Sequence, residues 1–509
     1  MNILKFILTS FCIGCALSLL RAQFITHHNS VPQTGLSLQP VNSPFTDPQF
    51  NTAVIRISDA RNDGLPGIFP DYSKRQAWNC DESKMMLRTA SGEVMIYDGT
   101  TYQYIKTLPG NLTGIQDIFW HPTDPLTVFF IADNTINTMN IQTEQITLLR
   151  TFSNYFYVTT RAEGNMSNDA HYIALAGYDS NWLLTDFFVY DILIDSVVGT
   201  INAGTFVQDF DWISISPLGN YVVVDYANEI TGQFNGVEVY DRQFNFIWQK
   251  PLGAGHSDLG LDSDGTEVLI MDIYDADSNM TFFKKFHLSD GSETVLLGIS
   301  PLFDQHESCR NMDRPGWVYI STFDYVGRLT DDSASWLPFE DEVFALKMNG
   351  SGTVQRIAHH HSRRYSPLTP NSDSSVYFSE PHATVNNNGT RILFGSNWRE
   401  NMEQDTSVDA YIVDISNMLT SDKKSEMMPV KKTSVFISIN IVGNTICEIP
   451  SGILSLCKLE LYDISGKRVY ASGLKHALRT GFPDNLKNRL YLYRIFDTAG
   501  FIVTGKILF

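Results

Sequence analysis

Three histidines precede three short polar turns at similar offsets. They are His256 in GHSDLGLDSDG, His306 in HESCRNMDRPG and His382 in EPHATVNNNG. Imidazole gains a proton close to neutral pH and is a common ligand of divalent metals, so a histidine in a cleft serves as a general base or as a metal ligand. We therefore predict His256 and His306 as catalytic residues, and all three histidines as ligands of a divalent metal.

Residues at similar offsets before the polar turns, including the turn that follows His382, are also polar. We predict that they line the same binding site, and they are Arg75, Gln76, Glu163, Asp209, Asp211 and Glu380. Arg310 follows His306 by four residues and is the third predicted catalytic residue, because its guanidinium, like that of Arg75, would neutralise a bound carboxylate. Tyr72 or Tyr377 would donate a proton. Elimination across a uronic acid needs such a base, cation and acid, whereas mere polar lining of a wet channel is the alternative interpretation.

A sequence repeat indicates the elements that position these residues. A polar cluster followed by a short hydrophobic strand occurs seven times, beginning at Trp78, Trp120, Met166, Ile213, Leu259, Cys309 and Thr384. Five of the six intervals span 42 to 50 residues and the last spans 75. A period in the forties with several short β-rich runs and no helical phase is typical of propeller blades with four antiparallel strands. We predict an all-β, seven-bladed propeller over residues 72–415, with six blades if the ends pair differently.

The polar turn of each unit should join the first strand to the second, because Asn, Asp and Gly favour tight hairpins. The first strand of a propeller blade lies innermost. Residues just before each turn should therefore point into the central channel near one mouth, where the histidines of three consecutive blades would meet.

The repeat phrase, seen here as SPLGNYVVV from Ser216 and DSDGTEVLI from Asp262, resembles the blades of TolB-type and oligogalacturonate-lyase-type propellers. The second resemblance implies a metal held by histidines and a glutamine. The ligand order of that family is not found here, and only His359, His360 and His361 approach it. We interpret these three residues as part of a loop at the mouth that is merely solvated or scavenges surface metal, and not as a structural site, since consecutive residues cannot all face one ion.

Composition describes a folded, acidic protein with a leader. The 509 residues are 43% hydrophobic and carry a net charge of −19, which disfavours nucleic acid and anionic lipid as partners. Residues 1–22 have the pattern of a secretory signal peptide, and residues 23–71 are predicted as an extended lead-in. Four cysteines follow the leader, so we expect at most one disulfide, between Cys447 and Cys457.

The charge balance changes near the C-terminus. From Val435 onward nine Lys or Arg stand against five Asp or Glu, after a polar stretch that we predict as a linker over residues 416–434. Residues 435–509 alternate with period two between glycine turns, which predicts a small Ig-like β-sandwich.

Short sequence motifs of this module resemble those of the C-terminal sorting domain of the type IX (Por) secretion system of Bacteroidetes. The matching residues are LYDISGK from Leu461, the pair Tyr491 and Tyr493, and the closing strand from Gly505 to Phe509. The resemblance implies the type IX machinery as a partner and a secreted or cell-surface location, while a generic accessory sandwich is the alternative. The sequence thus predicts an exported propeller that binds an extracellular glycan or protein at its channel mouth, or alternatively a polysaccharide lyase acting on uronate-containing polymers.

Overall fold

The computed structural model describes residues 23–203, 210–226, 233–324, 335–362, 377–398 and 407–419, together with the C-terminal strands given below. The predicted signal peptide and residues 420–434 of the predicted linker lie outside the described residues. The chain divides into two units, Met1–Lys424 and Ser425–Phe509. The boundary between them falls within the predicted linker.

The first unit is a seven-bladed propeller of antiparallel sheets, which confirms the predicted fold class and the count of seven. Two strands precede the first blade, β1 (Phe45–Thr46) and β2 (Ala53–Arg56). The strands of blades one to three are β3 (Ile68–Phe69), β4 (Lys84–Thr89), β5 (Val94–Asp98), β6 (Tyr104–Thr107), β7 (Ile118–Trp120), β8 (Thr127–Ala132), β9 (Thr135–Asn140), β10 (Ile146–Thr151), β11 (Tyr157–Thr159), β12 (Tyr172–Tyr178), β13 (Leu184–Asp191) and β14 (Ser196–Asn202).

Blades four to six also have four strands each, and blade seven begins with three more. These strands are β15 (Trp212–Ile215), β16 (Tyr221–Asp225), β17 (Val237–Asp241), β18 (Phe246–Lys250), β19 (Asp258–Leu261), β20 (Glu267–Asp275), β21 (Met280–His287), β22 (Glu293–Ile299), β23 (Phe303–Ser308), β24 (Trp317–Asp324), β25 (Glu342–Lys347), β26 (Val354–His359), β27 (Thr384–Val385), β28 (Arg391–Ser396) and β29 (Asp409–Asp414). A short 3₁₀ helix covers Gly110–Leu112, and helix α1 covers Ser416–Leu419.

Blade seven closes the ring with N-terminal strands. Its order is β27, β28, β29, β2 and β1, so β2 takes the place of a fourth strand beside β29. Pairing strands from the two ends of the propeller in one sheet holds the ring closed. The stretch predicted as an extended lead-in therefore contributes to the propeller, whose first strands lie before residue 72.

The central strands of the blades are buried on both faces because each blade packs between two others. In β16, with sequence YVVVD, four of the five residues are buried, and the run of three valines fits this two-sided burial. The polar turns join first to second strands as predicted, with Gly219, Gly265 and Gly389 at φ of 75°, 84° and 68°. Such left-handed backbone favours glycine.

The three consecutive histidines are core residues, which corrects their interpretation as a solvated loop. His359, His360 and His361 are all buried. His359 Nε2 donates to the Val31 carbonyl at 3.0 Å, and the ring of His361 stacks on Trp398 with 4.2 Å between centroids. The imidazoles of His359 and His361 thus anchor the N-terminal segment and blade seven to the end of blade six.

The second unit contains two antiparallel sheets. Their strands are β30 (Ile441–Val442), β31 (Thr445–Ile446), β32 (Cys457–Tyr462), β33 (Arg468–Leu474), β34 (Thr480–Gly481), β35 (Leu490–Asp497) and β36 (Gly500–Leu508). The four-stranded sheet has the order β33, β32, β35, β36, and the three-stranded sheet has the order β30, β31, β34. Residues 463–467 of the sorting-domain motif and Cys447 lie outside the described residues.

Two further findings concern the part of the chain that the structure describes. No helix there is long and apolar enough to span a membrane. Cys80 and Cys309 are free thiols in different blades.

Candidate metal centre in the propeller channel

The innermost strand of blade six, β23, sends alternate side chains toward two neighbouring blades. Ser308 faces blade seven, where its Oγ lies 3.5 Å from Thr384 Oγ1, and His306 shares its side of the strand. Glu380 and His382 come just before β27, the innermost strand of blade seven. The register of two adjacent strands therefore brings side chains together that are more than seventy residues apart in the chain.

His306, Glu380 and His382 form a compact donor group. Nε2 of His306 lies 3.6 Å from Glu380 Oε2, and Nε2 of His382 lies 3.5 Å from the same oxygen. All three residues are buried, and one ligand atom from each lies within 4.8 Å of the others. Ligand atoms bound at about 2.1 Å in a tetrahedron are about 3.4 Å apart, so these spacings suit a metal ion with two nitrogen ligands and one oxygen ligand.

His256 lies beside this group but is turned toward a different partner. Its ring stacks on that of His306 with centroids 4.3 Å apart, and its Nδ1 lies 2.5 Å from the carbonyl oxygen of Gln305. A carbonyl can only accept, so Nδ1 carries the proton and Nε2 of the neutral ring holds a lone pair. The Asp304 carboxylate lies 3.6 Å from Nδ1, and the His256 side chain is 30% exposed. This geometry suits a general base better than a metal ligand.

The structure thus brings the three predicted histidines together. The third member of the compact donor group is Glu380, which the sequence placed among the binding residues. His256 is set apart by its bond to Gln305.

Two tyrosines stand over the cluster. The Tyr72 ring is 5.5 Å from His306 and 5.2 Å from His382 between centroids, and Tyr377 is 4.9 Å from His382. Burial raises the pKa of Tyr72 well above its usual value, and the carboxylates of Glu163 and Glu380 raise it further. Tyr72 therefore keeps its phenolic proton at neutral pH. Tyr377 is 43% exposed and lies nearer to solvent.

The wall of the channel carries more acids than the sequence indicated. Burial raises the pKa of Asp272 to about 6, and burial with the nearby Asp272 charge raises the pKa of Glu307 well above its usual value. Glu307 was missed because it follows His306 on β23 and so faces blade five rather than blade seven. Asp272 was missed because it lies on a second strand, β20.

Lys74 brings a positive charge into this acidic channel. Its Nζ lies 2.5 Å from Glu163 Oε2 and 4.3 Å from the centre of a Trp212 ring. Burial raises the pKa of Asp211, and the charge of Glu163 adds to that effect. Asp209 lies outside the described residues. The surplus of carboxyl groups favours a bound cation.

The two arginines expected to hold a ligand carboxylate are already occupied, which corrects that expectation. Arg310 Nη2 lies 2.8 Å from Asp258 Oδ1 and also donates to the Leu259 carbonyl. Arg75 Nη2 lies 3.2 Å from Asp117 Oδ1, and its other donors reach carbonyls of blade three. Both guanidinium groups are buried between blades and join them.

Gln76 has a similar joining role. Its Nε2 donates to the Arg310 carbonyl and to Asn387 Oδ1, both at 3.1 Å. Gln76 thus links blade one to segments of blades six and seven. This residue, which was predicted to bind a ligand, stabilises the closed ring instead.

Comparison with protein-family models and with curated proteins finds no match. Among solved structures, the chain is similar to an oligogalacturonate lyase from Vibrio parahaemolyticus, with a TM-score of 0.51 and 12% identity over 73% of this chain and 96% of that one. It is also similar to an oligogalacturonate lyase in complex with manganese, with a TM-score of 0.51 and 13% identity over 77% and 98% of the two chains. At these identities the likeness shows the propeller fold.

Proposed function

We propose that the channel binds a divalent metal ion at His306, Glu380 and His382 and that the protein cleaves uronate-containing polysaccharides by β-elimination. The observation that carries the proposal is the buried donor group beside a histidine whose tautomer is set by a backbone carbonyl. Two imidazoles and a carboxylate suit manganese or zinc. The structural neighbours, one of them named as a manganese complex of an oligogalacturonate lyase, support the same class of reaction.

The residues around the cluster have the roles that elimination requires. A bound metal would neutralise the uronate carboxylate and acidify the adjacent C–H bond. His256 Nε2 takes that proton, and Asp304 stabilises the resulting imidazolium from 3.6 Å. The electron pair of the C–H bond forms the new C=C bond as the glycosidic C–O bond breaks. The Tyr72 phenol gives its proton to the leaving oxygen.

We expect the full chain to release unsaturated product from a pectic, alginate or ulvan-type polymer, measured by ultraviolet absorbance. A chelator should stop the reaction. His256→Ala should lower the rate about a hundredfold because the general base is lost. His171→Ala is the matched control, because His171 pairs with Asp169 on blade three away from the cluster. An unchanged rate in the His256→Ala variant refutes the role of His256 as the base. If no polymer yields unsaturated product, the lyase proposal is refuted.

A second candidate function is the binding of an extracellular glycan or protein without cleavage. The observation that favours it is the engagement of Arg75 and Arg310 by Asp117 and Asp258, which leaves the substrate carboxylate without its predicted arginine partner. Retained binding of a polymer with no unsaturated product would select this function over the lyase.

We also propose that the protein is exported by the type IX secretion machinery and is released or attached at the cell surface. The supporting observation is the C-terminal motif, whose aromatic strand β35 pairs with the closing strand β36 through Tyr493 and Gly505. We expect a chain ending at Lys424 to remain in the periplasm of a Bacteroidetes host while the full chain leaves the cell. Immunoblots of cell fractions measure this, and efficient export of the shortened chain contradicts the proposal.

A further inference from the structure

The innermost strand of blade six, β23, carries buried polar side chains on both of its faces. One face presents His306 to the candidate metal centre. Gln305 and Glu307 alternate with His306 and so point the other way, toward blade five. Cys309 follows on the same side and packs against blade five, since a Cβ added at Gly260 of β19 would lie 3.0 Å from Cys309 Sγ.

The side chains of Gln305 and Glu307 end in buried oxygens that lack donors. Glu307 is 0% exposed and Gln305 is 4% exposed. Among the described residues, none donates to Gln305 Oε1, and only the backbone N–H of Glu307 itself approaches its carboxylate oxygens. A buried acceptor left without a partner is costly, the more so when it is charged, and native structures contain few of them. These oxygens therefore indicate a bound species that interacts with their lone pairs.

Asp272 of blade five faces the same space from the opposite side. Ile270, two residues earlier on β20, packs with Ile320 and Phe344 of blade six, and the alternation of a strand places Asp272 on that side as well. The Asp272 carboxylate accepts a hydrogen bond from the side-chain amide of Gln305. Asp272 is only partly buried, which gives an ion a route from solvent.

The charge of this space is negative without a compensating cation. Asp272 and Asp304 both act on Glu307 as negative charges. Lys74 acts on Glu307 as a positive charge, but its Nζ already pairs with Glu163 Oε2 at 2.5 Å. Two buried carboxylates that face each other are stable only with added positive charge, which water does not supply.

The donor atoms decide which cation fits. Two carboxylates and an amide oxygen contain no nitrogen or sulfur ligand, and such sets suit hard cations. Calcium takes about six to eight oxygens from carboxylates, amide and backbone carbonyls and water, in flexible geometry. Magnesium demands a near-ideal octahedron and keeps several waters, which a space between packed blades does not readily hold.

We infer that Asp272, Gln305 and Glu307 bind a calcium ion between blades five and six. The two carboxylates balance its charge, and backbone carbonyls or water complete its coordination. Strand β23 then carries a calcium site on one face and the candidate metal centre on the other. The calcium ion ties β20 to β23 and stabilises the ring whether or not the protein is a lyase.

The test measures Ca²⁺ binding to the full chain by calorimetry and by the thermal midpoint. The background is His382→Ala, which removes a ligand of the candidate metal centre. One Ca²⁺ should bind per chain and raise the midpoint by about 3 °C at a hundredfold excess over the dissociation constant. Glu307→Gln and Asp272→Asn should each abolish this response. Asp277→Asn is the matched control, because Asp277 is an exposed acid in the turn after β20.

A cooperative thermal transition without metal shows that each variant is folded. A folded Glu307→Gln chain that has lost the Ca²⁺ response, while Asp277→Asn keeps it, supports the site. If Glu307→Gln does not fold, the same loss in a folded Asp272→Asn chain supports it. Absence of Ca²⁺ binding in the background chain overturns the site and means that Glu307 holds a proton instead. Binding that survives both Glu307→Gln and Asp272→Asn also overturns it and assigns the ion to surface acids.

Discussion

His306→Ala should lower metal-dependent cleavage of uronate polymers by at least about a thousandfold, because a divalent ion contributes several kcal/mol to stabilising the charge that develops at the carboxylate. His306 occupies the centre of the cluster. Its ring contacts those of His256 and His382, and its Nε2 faces Glu380. Removing this imidazole takes away one of three metal ligands and the ring on which the proposed base is stacked.

Metal binding can be measured apart from catalysis. Titration of the full chain with Mn²⁺ should raise its thermal midpoint, since a ligand that binds only the folded state stabilises it. His306→Ala, His382→Ala and Glu380→Gln should each lose that rise, and His171→Ala should keep it. A variant of His306 that retains both Mn²⁺ stabilisation and full activity contradicts the metal centre.

Arg310→Met should destabilise the propeller by about 3 to 5 kcal/mol, because it leaves the buried carboxylate of Asp258 without its charged partner. Arg310 donates through two nitrogens to Asp258, and the same carboxylate accepts the backbone N–H of Cys309 at 2.7 Å. The pair lies between blades five and six. The expected loss is thermodynamic and is read from the free energy of unfolding in denaturant.

The double variant Asp258→Asn with Arg310→Met tests this explanation. Removing both charges should cost less than the sum of the two single changes, since no unpaired charge stays buried. Arg310→Lys, which keeps a positive charge, should be the least damaging single change at this position. A stable Arg310→Met chain that has lost only its activity would restore Arg310 to the catalytic role that the sequence suggested.

The repeat made the propeller predictable because every blade repeats one local pattern. The turns at Gly219, Gly265 and Gly389 and the hydrophobic strands after them are short-range features, and each was visible in the sequence. The ring closure was not visible. Strand β2 pairs with β29 across more than 350 residues, and a short stretch such as AVIR carries no signal for a partner so distant.

The candidate site was predictable in outline for the same reason. Similar offsets before the turns placed His256, His306 and His382 at one mouth, and the structure brings them together. The choice of Glu380 over His256 as third donor depends on the Gln305 carbonyl that holds His256. Backbone groups of this kind have no signature in a sequence.

By itself the sequence determined the class of fold, the seven repeats and the types of residue at the channel mouth, because these follow from local periodicity and turn chemistry. The closure that makes seven blades came from the tertiary structure. Only the tertiary structure determined which charged side chains are available to act on a substrate and which are used in ion pairs between blades. Arg75 and Arg310 looked equivalent to the histidines along the chain, but inter-blade contacts pair them with Asp117 and Asp258. A charge enters the low-dielectric interior only with a partner, and for Arg75 and Arg310 that partner comes from the neighbouring blade.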